Sequence, residues 1–184
     1  MPLKILVIAD DDSQLGALDN PQPDILISCG DLLEGTILRI ARHYGARHIL
    51  AVRGNHDSAA PFPDPIIDLH LKTVTLEGVT FGGFAGAWRY KPVGHHLHEQ
   101  WDVASAMSGF KPVDVFVAHN SPAGIHERDT HVHQGFGAFR DYIDRAKPQL
   151  FIHGHQHLDS MTVRGQTTIL GVYGEKLVSV EDGC

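Results

Sequence analysis

Short apolar runs alternate with polar clusters along most of this chain, and the runs have the length of strands. Leu3 to Ala9, Asp24 to Ser28 and His48 to Val52 are β-branched stretches closed by Gly or Asp signals, which predicts three strands. Thr36 to Tyr44 carries a helical pattern between the second and third, so the chain opens as α/β. After the Pro-rich loop Pro61 to Pro65, the segment Ile66 to Gly83 reads as strands. Glu77-Gly78 is the expected hairpin turn there, between Thr73-Val74-Thr75-Leu76 and Val79-Thr80-Phe81. Trp88 to Gln100 reads as an irregular excursion. A helix over Trp101 to Met107, a strand over Val113 to Ala118, a long polar loop, a helix over Phe136 to Ala146 and a strand over Leu150 to His153 continue the alternation. Met161 to Val163, Thr167 to Val172 and Leu177 to Val180, separated by Gly-containing turns, predict a closing antiparallel meander. No internal repeat or linker divides the 184 residues, and the expectation is one domain over 1–184.

Five polar clusters sit just past these runs: Asp10-Asp11-Asp12, Gly30-Asp31, Gly54-Asn55-His56-Asp57, His119 and Gly154-His155-Gln156-His157. The C-terminal ends of strands are where open α/β sheets hold ligands, so the clusters can meet in space. Carboxylate and amide oxygens together with imidazole nitrogens suit divalent cations, and buried ionisable groups are costly unless paired or coordinated. A dinuclear metal site is the expectation. Extended-chain alternation points Asp10 and Asp12 the same way and leaves Asp11 facing solvent or capping the turn at Ser13. By the same spacing His155 and His157 share a face, Gln156 turns outward, and Gly154 lets backbone approach the site.

Composition narrows the partners. A formal net charge of −7 argues against extended nucleic-acid binding, which needs clustered Lys and Arg. Cys29 and Cys184 have no paired spacing, which excludes a disulfide framework and a cysteine-ligated zinc site and suits a reducing, cytoplasmic setting. Cys29 is expected to pack beside Asp31. Leu3 to Ala9 is too short for a signal peptide and no stretch reaches transmembrane length, so a soluble protein with no membrane partner is expected. Of the 14 histidines, those in the clusters are candidate ligands and proton carriers, while His126 and His131 read as ordinary loop residues.

The ordered set from Gly30-Asp31 through Asn55-His56-Asp57 and His119 to Gly154-His155-Gln156-His157 resembles the calcineurin-like metallophosphoesterase superfamily over Asp10 to His157. The stretch from Ala118 to His157 resembles its compact phosphodiesterase branch, with an HxPP-like turn, a downstream HxG and a closing GHxH. The resemblance implies a four-layer α/β/β/α sandwich. It implies one metal held by Asp10, Asp12, Asp31 and His157, and another held by Asp31, Asn55, His119 and His155, with Asp31 bridging. His56 would protonate the leaving group and Asp57 would orient its ring. Two cations roughly 3.5–4 Å apart can share a hydroxide and clamp both oxygens of an in-line displacement. The family usually begins DxH where this chain reads Asp10-Asp11-Asp12. A carboxylate in place of the imidazole favours a harder ion, so Mn²⁺ or Fe²⁺ is expected, with Mg²⁺, Ni²⁺ and Zn²⁺ as the other candidates.

The expected activity is hydrolysis of a small phosphoester or nucleotide-like substrate, diesters ahead of monoesters. The branch pattern adds His133 to the pocket. Arg89 and Tyr90, flanked by Trp88 and Lys91, combine cations with stacking faces that can hold a base and a phosphate. Two rivals come from other classes. Leu3 to Leu18 resembles the start of a phosphoacceptor receiver domain, with Asp57, Thr80 and Lys111-Pro112 at suitable distances, but a receiver has no use for His119 or the final histidine pair. A catalytically weak metallophosphoesterase-like scaffold for partner proteins is favoured by the altered Asp12 and opposed by the intact His56.

Overall fold

Period-two alternation decides the architecture. In β1 (Leu3–Ala9), Ile5, Val7 and Ala9 enter one apolar cluster while Leu6 and Ile8 enter another, so the strand is covered on both faces. The computed structural model of the protein describes residues 2–181, and Cys184 lies outside them. After β1 come β2 (Ile25–Ser28), α1 (Glu34–Tyr44), β3 (His48–Ala51) and β4 (Ile66–Asp68). The hairpin β5 (Thr73–Leu76) and β6 (Val79–Phe84) turns at Glu77-Gly78, as expected. The excursion contains a short parallel pair, β7 (Ala87–Trp88) and β8 (Leu97–His98). Then follow α2 (Gln100–Ser108), β9 (Val115–Ala118), a 3-10 turn at His131–His133, α3 (Gly137–Ala146), β10 (Leu150–His153), β11 (Ser160–Arg164), β12 (Thr167–Gly171) and β13 (Gly174–Val180).

Two mixed sheets result, ordered β13-β1-β2-β3-β4 and β11-β12-β10-β9-β6-β5. Ile5, Val7, Ile25 and Ile27 of the first meet Val115, Val117, Leu150 and Ile152 of the second between the sheets. On the outer side of the first sheet, Leu6, Ile8 and Leu26 pack on Ile37, Ile40 and Ala41 of α1, which form one helical stripe. On the outer side of the second, Phe116 and Phe151 pack on Val103 and Met107 of α2 and on Phe139, Tyr142 and Ile143 of α3. This is the expected α/β/β/α sandwich. No helix among the described residues is long and apolar enough to cross a membrane.

The closing meander does not form as expected. β11 and β12 are antiparallel, but β12 runs parallel beside β10, and β13 crosses to the other sheet to lie antiparallel to β1. That crossing has a local anchor. The Glu175 carboxylate accepts the backbone N–H groups of Gly16, Ala17 and Leu18 at 3.0, 2.8 and 3.1 Å, so β13 holds the loop that follows β1.

The registers bring the strand ends together. Ile8 pairs Ser28 and Ser28 pairs Ala51 in one sheet, while Phe84 and His153 both pair Ala118 in the other. Each polar cluster leaves its sheet from this common edge.

Candidate metal centre

Asp10, Asp31, His155 and His157 leave their strands through left-handed backbone, with φ of 60°, 56°, 64° and 49°. Such angles are uncommon outside glycine, although Asp and His tolerate them better than most residues. The turns are tight enough to require glycine beside them. At Gly30, φ is 100° and a Cβ would lie 2.5 Å from Gly54 N and 2.8 Å from His119 Nδ1. A Cβ on Gly54 would overlap the Asp31 carboxylate, and one on Gly154 would lie 2.6 Å from Asp10 Oδ2.

His119 is fully buried at the centre. Its Nδ1 donates to the Cys29 carbonyl at 2.7 Å, which fixes the tautomer and turns the Nε2 lone pair inward. That Nε2 lies 3.0 Å from Asn55 Oδ1 and 3.4 Å from Asp31 Oδ2. Asn55 Nδ2 donates to the Tyr90 hydroxyl at 3.2 Å, which leaves Oδ1 facing His119. His155 Nε2 donates to the Val132 carbonyl at 3.2 Å, so its Nδ1 is available. Asp31, His119 and His155 each offer a ligand atom within 4.8 Å of the others. Lone pairs that converge in this way require a proton or a cation between them.

The electrostatics say the same. Burial alone would lower the His119 pKa, but the Asp31 and Asp10 carboxylates outweigh it and raise it to about 9. Burial lowers His155 to about 2, helped by the His119 charge, so this ring stays a neutral donor of its lone pair. Burial opposes ionisation of Asp31, yet the His119 charge and hydrogen bonds from His119 and His56 hold its carboxyl well below the usual range. Burial pushes Asp10 up to about 7. Asp10 Oδ2 accepts the His155 N–H at 2.8 Å, but Oδ1 is buried without a partner, 3.9 Å from His157 Nε2. An orphaned carboxylate oxygen beside an imidazole fits a divalent cation, and the residues present can hold one.

The remaining expectations divide. Asp11 Oδ1 accepts the Ser13 N–H at 2.9 Å, capping the turn as expected. Asp12 is exposed and makes no hydrogen bond or ion pair among the described residues, because the left-handed Asp10 breaks the alternation that placed the two on one side. Gln156 does not turn outward. It is fully buried, accepts the Arg128 N–H at 3.0 Å and donates to Ser121 Oγ and the His133 carbonyl at 2.9 and 2.8 Å. Left-handed residues on both sides of it invert the extended pattern.

Among the described residues no hydrogen bond joins Asp57 to the His56 ring; Asp57 Oδ2 accepts the Asp31 and Gly54 N–H groups at 3.0 and 2.7 Å and so ties two site loops together. His56 is exposed, with its backbone N–H on Asp31 Oδ1 at 2.8 Å. His133 stands over the centre, its ring 5.1 Å from that of His155 and 5.8 Å from that of His157. Tyr90 reaches the site through Asn55, but Arg89 is engaged elsewhere: Nε pairs Glu99 at 3.3 Å and Nη2 donates to the Leu97 carbonyl at 2.8 Å. Sequence reasoning missed Arg128, whose charge, after burial, lowers the pKa of both His133 and His157. Its place in the polar loop between His119 and His133 was the available signal.

The pattern of the calcineurin-like phosphoesterase superfamily domain matches residues 9–172. No curated protein matches the sequence. One solved crystal structure superposes with a TM-score of 0.72 at 17% identity, covering 97% of this chain and 95% of its own. Phosphopantetheinyl hydrolase (PptH) from Mycobacterium tuberculosis superposes with a TM-score of 0.60 at 13% identity, over 94% of this chain and 90% of its own. Wild-type Vps29 complexed with Zn²⁺, from Entamoeba histolytica, gives 0.53 at 14% identity, over 94% and 74%. These likenesses share the sandwich, and the matched span takes in every cluster from Asp10 to His157: the chain belongs to the calcineurin-like phosphoesterase superfamily.

Proposed function

We propose that the protein is a divalent-metal-dependent phosphoesterase that hydrolyses small phosphodiesters at a two-cation site. The observation that carries this reading is the committed His119 ring, whose Nε2 faces Asn55 Oδ1 and Asp31 Oδ2 with His155 close by. Asn55, His119, His155 and Asp31 would hold one cation, and Asp10, Asp31 and His157 the other. Asp12 faces solvent and takes no direct part. The two carboxylates and one imidazole of the second set would favour Mn²⁺ or Fe²⁺. Bound cations of this kind polarise a phosphoryl oxygen and lower the pKa of water.

The chain's own groups complete the chemistry. His56, anchored through its backbone to Asp31, presents an exposed ring that can give a proton to the leaving oxygen. His133, Arg128 and Tyr90 line the approach and would hold the non-reacting part of the ester. The hydrolase named among the structural neighbours supports this reading over a scaffold role, as does the buried, polar centre itself.

The test is a matrix on metal-stripped protein, in which Mn²⁺, Fe²⁺, Mg²⁺, Ni²⁺ and Zn²⁺ are each assayed with bis(p-nitrophenyl) phosphate and p-nitrophenyl phosphate. Turnover with Mn²⁺ or Fe²⁺, faster on the diester, is expected. No turnover with any metal would overturn the proposal in favour of the scaffold.

A further inference from the structure

Two histidines without a role in the proposed chemistry lie behind the turn from Gly154 to His157. His153, the last residue of β10, is fully buried, and its Nδ1 lies 2.9 Å from the Gly154 carbonyl oxygen. A carbonyl only accepts, so Nδ1 carries the hydrogen. A buried ring with no carboxylate partner is neutral, which leaves Nε2 as an acceptor. His126 Nδ1, 2.9 Å from that Nε2, must then be the donor, and in the neutral His126 ring Nε2, 3.0 Å from Thr162 Oγ1, accepts from that hydroxyl. Every proton in the chain of three side chains is assigned, and all point the same way.

The relay ends on a peptide that touches the metal centre. The Gly154 carbonyl belongs to the same peptide unit as the His155 N–H, and that N–H donates to Asp10 Oδ2 at 2.8 Å. The Gly154 carbonyl also accepts the Gln156 N–H at 2.7 Å, so this peptide is held by a backbone donor and by the His153 ring at its C=O and by Asp10 at its N–H, and hydrogen bonds in series strengthen one another. Asp10 Oδ2 is thereby fixed, which leaves the partnerless Oδ1 beside His157. Gly171 makes room for the arrangement, since a Cβ there would lie 3.1 Å from His153 Cε1 and 3.3 Å from His126 Nδ1.

We infer that Thr162, His126 and His153 form a hydrogen-bond relay, running from β11 to the site, that positions the Asp10 carboxylate for its cation. The inference rests on the two-cation reading above. All three are positioning residues and none touches substrate. Outer partners of metal ligands set ligand orientation, and their loss typically weakens binding about 10- to 100-fold.

Calorimetric titration of the metal-stripped full chain with Mn²⁺, without substrate, tests the relay. His153→Leu and His126→Phe are each expected to weaken Mn²⁺ binding about tenfold. His153→Asn, whose Nδ2 takes the place of Nδ1 as donor to Gly154, should recover most of the loss. A ¹⁵N spectrum of the metal-free wild type should show His153 as the Nδ1–H tautomer. Wild-type affinity in His153→Leu and His126→Phe, equal losses in the Leu and Asn variants at 153, or an Nε2–H tautomer would each overturn the relay. If His153→Leu does not fold, His126→Phe on the partly exposed loop and the tautomer carry the test. A wild type that binds Mn²⁺ but turns over no phosphoester defeats the proposed function and leaves the relay standing.

Discussion

Replacing Asp10 with Asn should stabilise the metal-free protein at pH 8 while weakening its grip on cations. Burial raises the Asp10 pKa from 3.8 to about 7 in the native state. The folded chain therefore binds this proton more tightly than the unfolded chain, so stability falls as pH rises from about 4 to about 7 and is flat beyond. At about 1.4 kcal/mol per pH unit, the full penalty is roughly 4 kcal/mol at pH 8, of which about 2 kcal/mol has accrued at pH 5.5. Asn removes the charge and can still accept the His155 N–H, but its amide nitrogen replaces the partnerless Oδ1 at a cost of about 1–3 kcal/mol. That cost does not depend on pH. His119, raised from 6.5 to about 9 against burial and chiefly by Asp31, costs wild type and variant alike stability as pH rises above about 6.5, so it largely cancels in the comparison. Urea unfolding in EDTA at pH 5.5 and pH 8 should therefore show the variant gaining about 2 kcal/mol on the wild type between the two. Saturating Mn²⁺ should reverse the order, because it stabilises the chain that binds it. A stability difference that is the same at both pH values would refute the reasoning.

Three further outcomes follow from the same geometry. His56→Ala should lower kcat on a diester with a poor leaving group by about 10²–10⁴ with metal content unchanged, and full activity would remove His56 as the acid. Gly54→Ala drives a methyl into the Asp31 carboxylate and should cost about 1–3 kcal/mol in thermal unfolding together with most of the Mn²⁺ affinity; wild-type binding would mean the loop can yield. Arg128→Gln should raise the pKa of His133 and His157 in an NMR titration, since its charge holds both down, and unchanged values would place the guanidinium away from the site.

The strands were legible because a two-sided strand must alternate between two apolar layers. Ile5 against Leu6 and Val115 against Phe116 carry that signal, and so does the Glu77-Gly78 turn. Alternation does not say which sheet a strand joins, so β13 read as the neighbour of β12 rather than of β1. The clusters at Asp31, Asn55, His119 and His155 were found because several residue types with ligand chemistry fell at strand ends in one order. Orientation within the clusters was not legible. Left-handed angles at Asp10, His155 and His157 leave no mark on non-glycine residues in a sequence, and those angles exposed Asp12 and buried Gln156. Asp57 was assigned to the neighbouring ring, whereas its partners are two backbone amides that only the folded loops bring near.

The grip of Glu175 on Gly16, Ala17 and Leu18 also bears on the order of assembly during synthesis. Residue 10 leaves the ribosome early, but the loop behind it has no carboxylate to hold it until residue 175 has been translated. Nascent chains cut short before β13 should then carry formed inner strands and an unsettled Asp10 loop. On the two-cation reading, competence for metal would arrive only once β13 is in place.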